Sequence, residues 1–117
     1  MTKKELSKLL HTIGIPVGEG EHYIESADAM PKLAYWEYVW SDVMASGDDY
    51  DVVVTYQLSF VSRKPRDPKL IALKNALNDA GIHPDFFLEY VKGDKSPGYY
   101  HAYTSVDIEE KLDGRSA

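Results

Sequence analysis

Apolar positions along the chain switch between helical spacing and strict alternation, and the switches mark the elements. Leu6, Leu9, Leu10 and Ile13 recur at the spacing of one helix face, with Lys3, Lys4 and Lys8 on the other side. Thr2 and Glu5 stand at the capping-box distance ahead of this stripe, and Gly14 follows where a left-handed stop belongs. A helix is therefore expected at the start. Ile15-Pro16-Val17 is a brief extended piece, because Pro16 removes a ladder donor, and the polar stretch from Gly18 to Lys32 reads as a loop.

Leu33 to Asp42 carries residue types that suit a pleated surface. Its alternating sets, Leu33, Tyr35, Glu37, Val39 and Ala34, Trp36, Tyr38, Trp40, are both largely apolar. A strand apolar on both faces is covered on both sides, by its own chain or by another molecule. After the turn signal Ser46-Gly47-Asp48-Asp49, Tyr50 to Ser62 alternates through Tyr50, Val52, Val54, Tyr56, Leu58 and Phe60. The two strands are expected to pair as an antiparallel hairpin. Thirteen residues, Tyr50–Ser62, span roughly 43 Å, against a diameter of roughly 35 Å for a compact domain of this size. Such a hairpin bends or projects, and projection with aromatics on both faces points to an assembly arm.

Asp67-Pro68 opens a second helix, with the stripe Leu70, Leu73, Ala76, Leu77 and Ala80 and a stop at Gly81. Phe87 to Lys92 and Tyr99 to Ile108 read as two further strands separated by a Gly93–Gly98 turn, the last with Tyr100, Ala102, Thr104, Val106 and Ile108 on its more apolar face. The order α-β-β-α-β-β predicts an α+β fold: a four-stranded, mainly antiparallel sheet with two helices on one face and a long projecting hairpin. The 117 residues make one domain, 1–117, with an ordered core of about 2–109 and a polar, flexible tail at 110–117.

Composition narrows the chemistry. The absence of cysteine removes disulfides, thiolate metal sites and cysteine nucleophiles. A net charge of −6 argues against a primary nucleic-acid binder, since phosphate neutralisation needs clustered Lys and Arg. No run of 18 apolar residues suggests a membrane span, and the polar start does not resemble a secretory signal. Aromatic residues make up 12%, which is rich for a small domain and directs attention to surfaces.

No catalytic or cofactor motif emerges, and neither a cofactor nor a metal is expected. His11 lies on the polar side of the first helix, His22 has only loop glutamates beside it, and His83 follows a helix end. His101, on the Tyr99/Tyr103 face of its strand, becomes an acid–base candidate only if another strand brings it a carboxylate. Asp42, Asp48, Asp49 and Asp51 do not follow the calcium-loop spacing, and no phosphate-cradling glycine motif or nucleophile elbow occurs. Arg63, Lys64, Arg66 and Lys69 form the basic cluster, a solvated turn or a contact for an acidic partner surface.

The features left over are the extended aromatic hairpin, Gly14-Ile15-Pro16-Val17, the acidic link at Asp42, and the Arg63–Asp67 turn before a single long helix. From about Leu6 to Ile108, their order resembles the tail terminator (tail completion, or head-tail joining) proteins of long-tailed bacteriophages. The loop from Gly18 to Pro31 departs from that pattern in carrying no aromatic but Tyr23. The resemblance implies a non-enzymatic structural protein made in a bacterial host cytoplasm and located in the virion tail or neck. It implies a ring, commonly a hexamer, that ends tail-tube polymerisation, contacts the major tail protein and the head connector, and lets DNA pass without binding it specifically. On that basis Trp36, Tyr38, Trp40, Tyr50, Val52 and Tyr56 are candidates for the subunit interface or the sheet core, and Arg63, Lys64 and Arg66 are docking candidates. The alternatives are a head-closure or neck adaptor of the same virion, and a small-ligand-binding α+β domain whose pocket Tyr99, His101 and Tyr103 would line. An RNA binder is disfavoured by the charge.

Overall fold

In a computed structural model describing residues 1–26, 29–42, 52–94 and 97–110, the chain runs α1 (Lys3–His11), β1 (Val17–Glu19), a 3-10 helix (Glu21–Glu25), β2 (Lys32–Asp42), β3 (Val52–Ser62), α2 (Pro68–Asp79), β4 (Phe87–Val91) and β5 (Tyr99–Glu110). The strands form one sheet in the order β1-β2-β3-β5-β4. The α+β class and both helices are as expected. The sheet is not: it has five strands and is mixed, because Val17, Gly18 and Glu19 pair parallel with Leu33, Ala34 and Tyr35. Three residues between Pro16 and Gly20 are too few to show any alternation. β1 exists because β2 offers it an edge, and hydrogen bonds from Leu33 N to the Pro16 carbonyl and from Gly20 N to the Tyr35 carbonyl lock it there at 2.9 and 2.8 Å. Gly18 is needed for close approach, since a Cβ at this position would run into the Tyr23 ring, which the 3-10 helix lays over the strand.

The helices begin as their sequences dictate. Thr2 Oγ1 accepts from Glu5 N while Glu5 Oε1 accepts from Thr2 N, and these bonds, the one to the Thr2 backbone foremost, hold the Glu5 carboxyl below its usual range. Asp67, itself buried, accepts from Lys69 N at 2.8 Å with Pro68 behind it. Lys69 Nζ also donates to the Ile13 carbonyl at 3.1 Å, so the start of α2 supplies a cation to the end of α1. Gly14 sits beside this contact at φ +84°, where a side chain would be strained and its Cβ would press on Lys69 Nζ.

Both helices lie on one face of the sheet. Leu6, Leu10 and Ile13 from α1 and Leu73 and Leu77 from α2 meet Leu33 and Tyr35, the even-numbered residues Val52 to Phe60, and Ala102, Val106 and Ile108. Each such aliphatic side chain contributes about 1.5–3 kcal/mol by leaving water. Leu70 and Ala76 pack on the margin of this cluster, and Ala80, the last residue of the predicted α2 stripe, is an exposed C-cap. Tyr35 Oη donates to Ser7 Oγ at 3.2 Å, tying α1 to β2. β5 continues to Glu110, past the predicted end at Ile108, because Glu109 and Glu110 still pair with Val53 and Val52. The turn at 43–49 and the tail at 111–117 lie outside the described residues.

One irregularity decides what the hairpin presents. Glu37 pairs with Tyr56 and Val39 with Thr55, so Tyr38 is an extra residue, a β-bulge. Strict alternation would put Trp40 on the same face as Trp36. The bulge reverses this: Trp36 stands opposite Gln57 on the open face, and Trp40 stands opposite Val54 on the helix-bearing face. The longest dimension of the molecule is 53 Å, well beyond a sphere of roughly 35 Å.

Candidate functional site

On the open face, β3, β5 and the 3-10 helix enclose a hollow of about 480 Å³. Its walls include Ile24, Trp36, Val61, Tyr99 and His101, with Glu21, His22 and Glu25 at the rim. The carboxylate that His101 needed arrives from β4. Glu89 Oε1 lies 3.0 Å from His101 Nδ1, and Ser59 Oγ lies 3.0 Å from Nε2. The carboxylate can accept only from an Nδ1–H, while the Ser59 hydroxyl is the partner of Nε2. Serine, histidine and glutamate thus stand in the order of a hydrolase triad. However, Ser59 is only 1% exposed and sits mid-strand, its neighbours Ala34 and Tyr103 paired on either side, rather than on an exposed elbow. The arrangement ties β4, β5 and β3 together across the sheet, and Ser59 and His101 both line the hollow. Among the described residues, no group of three or more His, Asp or Glu is placed to hold a metal, and no helix is long and apolar enough to cross a membrane.

The other distinctive surface is the sheet's pair of edges. β1 covers β2 at Leu33, Ala34 and Tyr35, so among the described residues the outer half of β2, from Glu37 to Asp42, has a ladder partner on one side alone. Burial along β2 changes at that point, from the buried Lys32–Tyr35 to the exposed Glu37–Asp42. Tyr38 is 65% exposed and Trp40 59%, with Val39 between them also exposed. Trp40 Nε1 donates to Glu37 Oε1 at 2.8 Å, which holds the indole against the sheet while leaving its ring in water. At the opposite edge β4 pairs, among the described residues, with β5 alone. Phe87, Leu88 and Tyr90 are exposed there, Leu88 by 69%. Phe87 stacks on Tyr103 and Tyr90 packs against Tyr100, at centroid distances of 5.5 and 5.0 Å.

The predicted interface residues divide accordingly. Tyr38 and Trp40 are on the free edge. Trp36 is half-buried in the wall of the hollow. Val52 and Tyr56 take the sheet-core alternative instead: they are 5% and 0% exposed, since β3 has β2 on one side and β5 on the other. Tyr50 lies outside the described residues. Tyr56 Oη donates to Glu110, and burial, reinforced by that carboxylate, pushes its phenol far above the ordinary tyrosine range. In the docking trio, Arg63 is used internally, reaching the carbonyls of Pro97 and Gly98 at 3.3 and 3.4 Å, whereas Lys64 and Arg66 are exposed on the turn. Sequence reasoning missed the β4 edge. Phe86-Phe87-Leu88 was its signal, but only strand order shows that those residues are uncovered.

The outer half of the sheet is acidic. The described residues of its outer half, 36–42, 52–58 and 105–110, include Glu37, Asp42, Asp107, Glu109 and Glu110 and no lysine or arginine. Two apolar hollows of about 320 and 360 Å³ beside β4 are bordered by Lys64, Arg66 and Lys74 and by Glu89 and Asp85, with Arg66, Leu70 and Leu88 common to both.

No protein-family model and no curated protein matches the chain. Among solved structures, it is similar to the sheath/tube terminator of an extracellular contractile injection system, PVC, in the extended state. The identity is 12% and the TM-score 0.39; the alignment covers 100% of this chain and 60% of that one, so the chain spans about three-fifths of its length.

Proposed function

We propose that the protein is a non-enzymatic structural subunit of a phage-type tail: a tail terminator that forms a ring, ends polymerisation of the tube and joins it to the head connector. The observation that carries this reading is the outer half of β2, where Tyr38, Val39 and Trp40 stand exposed on an unpaired strand edge. Apolar edge strands in water attract further strands, and a chain that keeps one exposed gains from a neighbour that covers it. The order of features along the sequence then supports the choice of assembly. A heterologous interface of this kind closes into a ring when its rotation permits, and a hexamer is the ring the resemblance suggests. Major tail protein and head connector are the partners, DNA passes without specific contact, and the virion tail or neck is the location.

Electron microscopy of particles made without this protein tests the reading. Tails of uncontrolled length are expected; normal tails on heads that leak DNA would instead assign it to head closure. A second reading, a small-ligand site, draws on the hollow beside His101 and Trp36. A saturable rise in melting temperature with a metabolite panel would favour it, and no rise would remove it.

A further inference from the structure

Among the described residues, six of the eight large exposed apolar ones, Tyr38, Val39, Trp40, Phe87, Leu88 and Tyr90, lie on the two opposite free edges of one sheet. From this we infer that β4 receives the outer edge of β2 from a second copy of the chain, so that the sheet continues from one subunit into the next. The inference rests on the proposed self-assembly and adds the receiving surface, which the exposed hairpin alone does not identify.

Three observations favour a second copy as the occupant. First, among the described residues each edge pairs on one side only, and backbone groups along a free edge are a template for another strand. Second, the edges match in chemistry. The donor edge carries Tyr38, Val39 and Trp40 between Glu37 and Asp42, while the receiving edge carries Phe87, Leu88 and Tyr90 beside Lys64, Arg66 and Lys74, with Asp85 and the His101-bound Glu89 as the acidic groups there. An apolar centre between complementary charges fixes orientation and disfavours pairing of either edge with itself, because two β2 edges would bring Glu37 and Asp42 against their own kind. Third, the hollows of about 320 and 360 Å³ beside Leu88 give large side chains somewhere to go. The contact is heterologous, donor edge to receiving edge, and leaves each pair of subunits with one free edge of either kind to offer.

Heterologous pairing has a signature that other modes lack. Trp40→Asp disables the donor edge and Leu88→Asp the receiving edge, both at exposed positions that the fold tolerates, which circular dichroism and thermal melting verify. Sedimentation velocity of the full chain is expected to show wild-type oligomers, each variant alone as a monomer, and an equimolar mixture as a dimer, since the mixture retains one intact pair of edges. The natural absence of cysteine allows a second readout. Val39→Cys and Leu88→Cys chains, mixed and oxidised, are expected to cross-link to each other well above the level at which either links to itself. Variants that assemble like wild type would overturn the edge assignment and leave self-assembly standing. A monomeric mixture beside oligomeric wild type would overturn the heterologous arrangement. Wild-type chain that stays monomeric up to about 1 mM, with a cysteine pair that fails to cross-link, would overturn self-assembly together with the edge assignment and give the edges to a different protein.

Discussion

Replacing Tyr56 with Phe removes the hydroxyl that joins the core to Glu110. The ring is completely buried and its hydroxyl donates to Glu110 at the end of β5. Hydrogen bonds to charged acceptors contribute about 1.5–3 kcal/mol. Glu110 keeps some solvent access and can recover water, which lowers the expected loss to about 1–2 kcal/mol at neutral pH. For a domain of this length that corresponds to a melting temperature lower by about 3–10 °C. The alkaline limb is the sharper test. Burial raises the folded-state phenol pKa far above the unfolded value near 10, so the fold binds this proton more tightly than the unfolded chain does. The linked stabilisation is complete below about pH 10 and declines as pH rises, with a limiting slope of about 1.4 kcal/mol per pH unit. Tyr56→Phe abolishes that contribution while leaving the other tyrosines in place. Urea denaturation of both proteins at intervals from pH 8 to about pH 11.5 should therefore show the stability gap narrowing above pH 10. Parallel curves throughout would refute the reasoning, and so would a variant as stable as wild type at pH 8.

Asp67→Ala should cost about 1–2 kcal/mol in urea denaturation, because it uncaps α2 at a buried position, while Asp67→Asn retains most of the capping bond. Gly18→Ala should cost about 1–3 kcal/mol by driving a methyl into the Tyr23 ring. The same change in a Tyr23→Ala background should cost clearly less, and an undiminished penalty would show that the ring is not what the methyl meets. In dilute solution, acrylamide should quench the Trp36→Phe variant, which reports Trp40, more strongly than the Trp40→Phe variant, which reports Trp36. The reverse order would contradict the exposed placement of Trp40.

Where neighbours in sequence decide, the chain could be read directly. The Thr2–Glu5 box, the Asp67-Pro68 start and the alternation from Val52 to Ser62 are local signals and appear in the structure as written. β1 escaped because three residues carry no period, and its existence depends on the free side of β2. The bulge at Tyr38 escaped for a related reason. Trp36-Glu37-Tyr38-Val39-Trp40 alternates plausibly in either register, and only pairing with Tyr56 and Thr55 reveals the extra residue. The candidate site was legible to the same degree. The aromatic hairpin was visible, and so was the possibility that His101 meets a carboxylate. That Glu89 supplies it, that Val52 and Tyr56 turn inward, and that Phe87, Leu88 and Tyr90 lie at an edge all follow from strand order, which is a non-local property.

The insertion of β5 between β3 and β4 has a consequence during synthesis. One flank of β3 must wait, unpaired, from the moment Ser62 is made until Tyr99 and its successors emerge, and β4 is translated before the strand on which it will lie. At roughly 5–20 residues per second that interval lasts about 2–7 s. During it the nascent chain exposes Val54, Tyr56, Leu58 and Phe60 beside an open ladder, the state in which aggregation or chaperone capture competes with folding. Yield in the cell should accordingly depend on how quickly codons 63–98 are read.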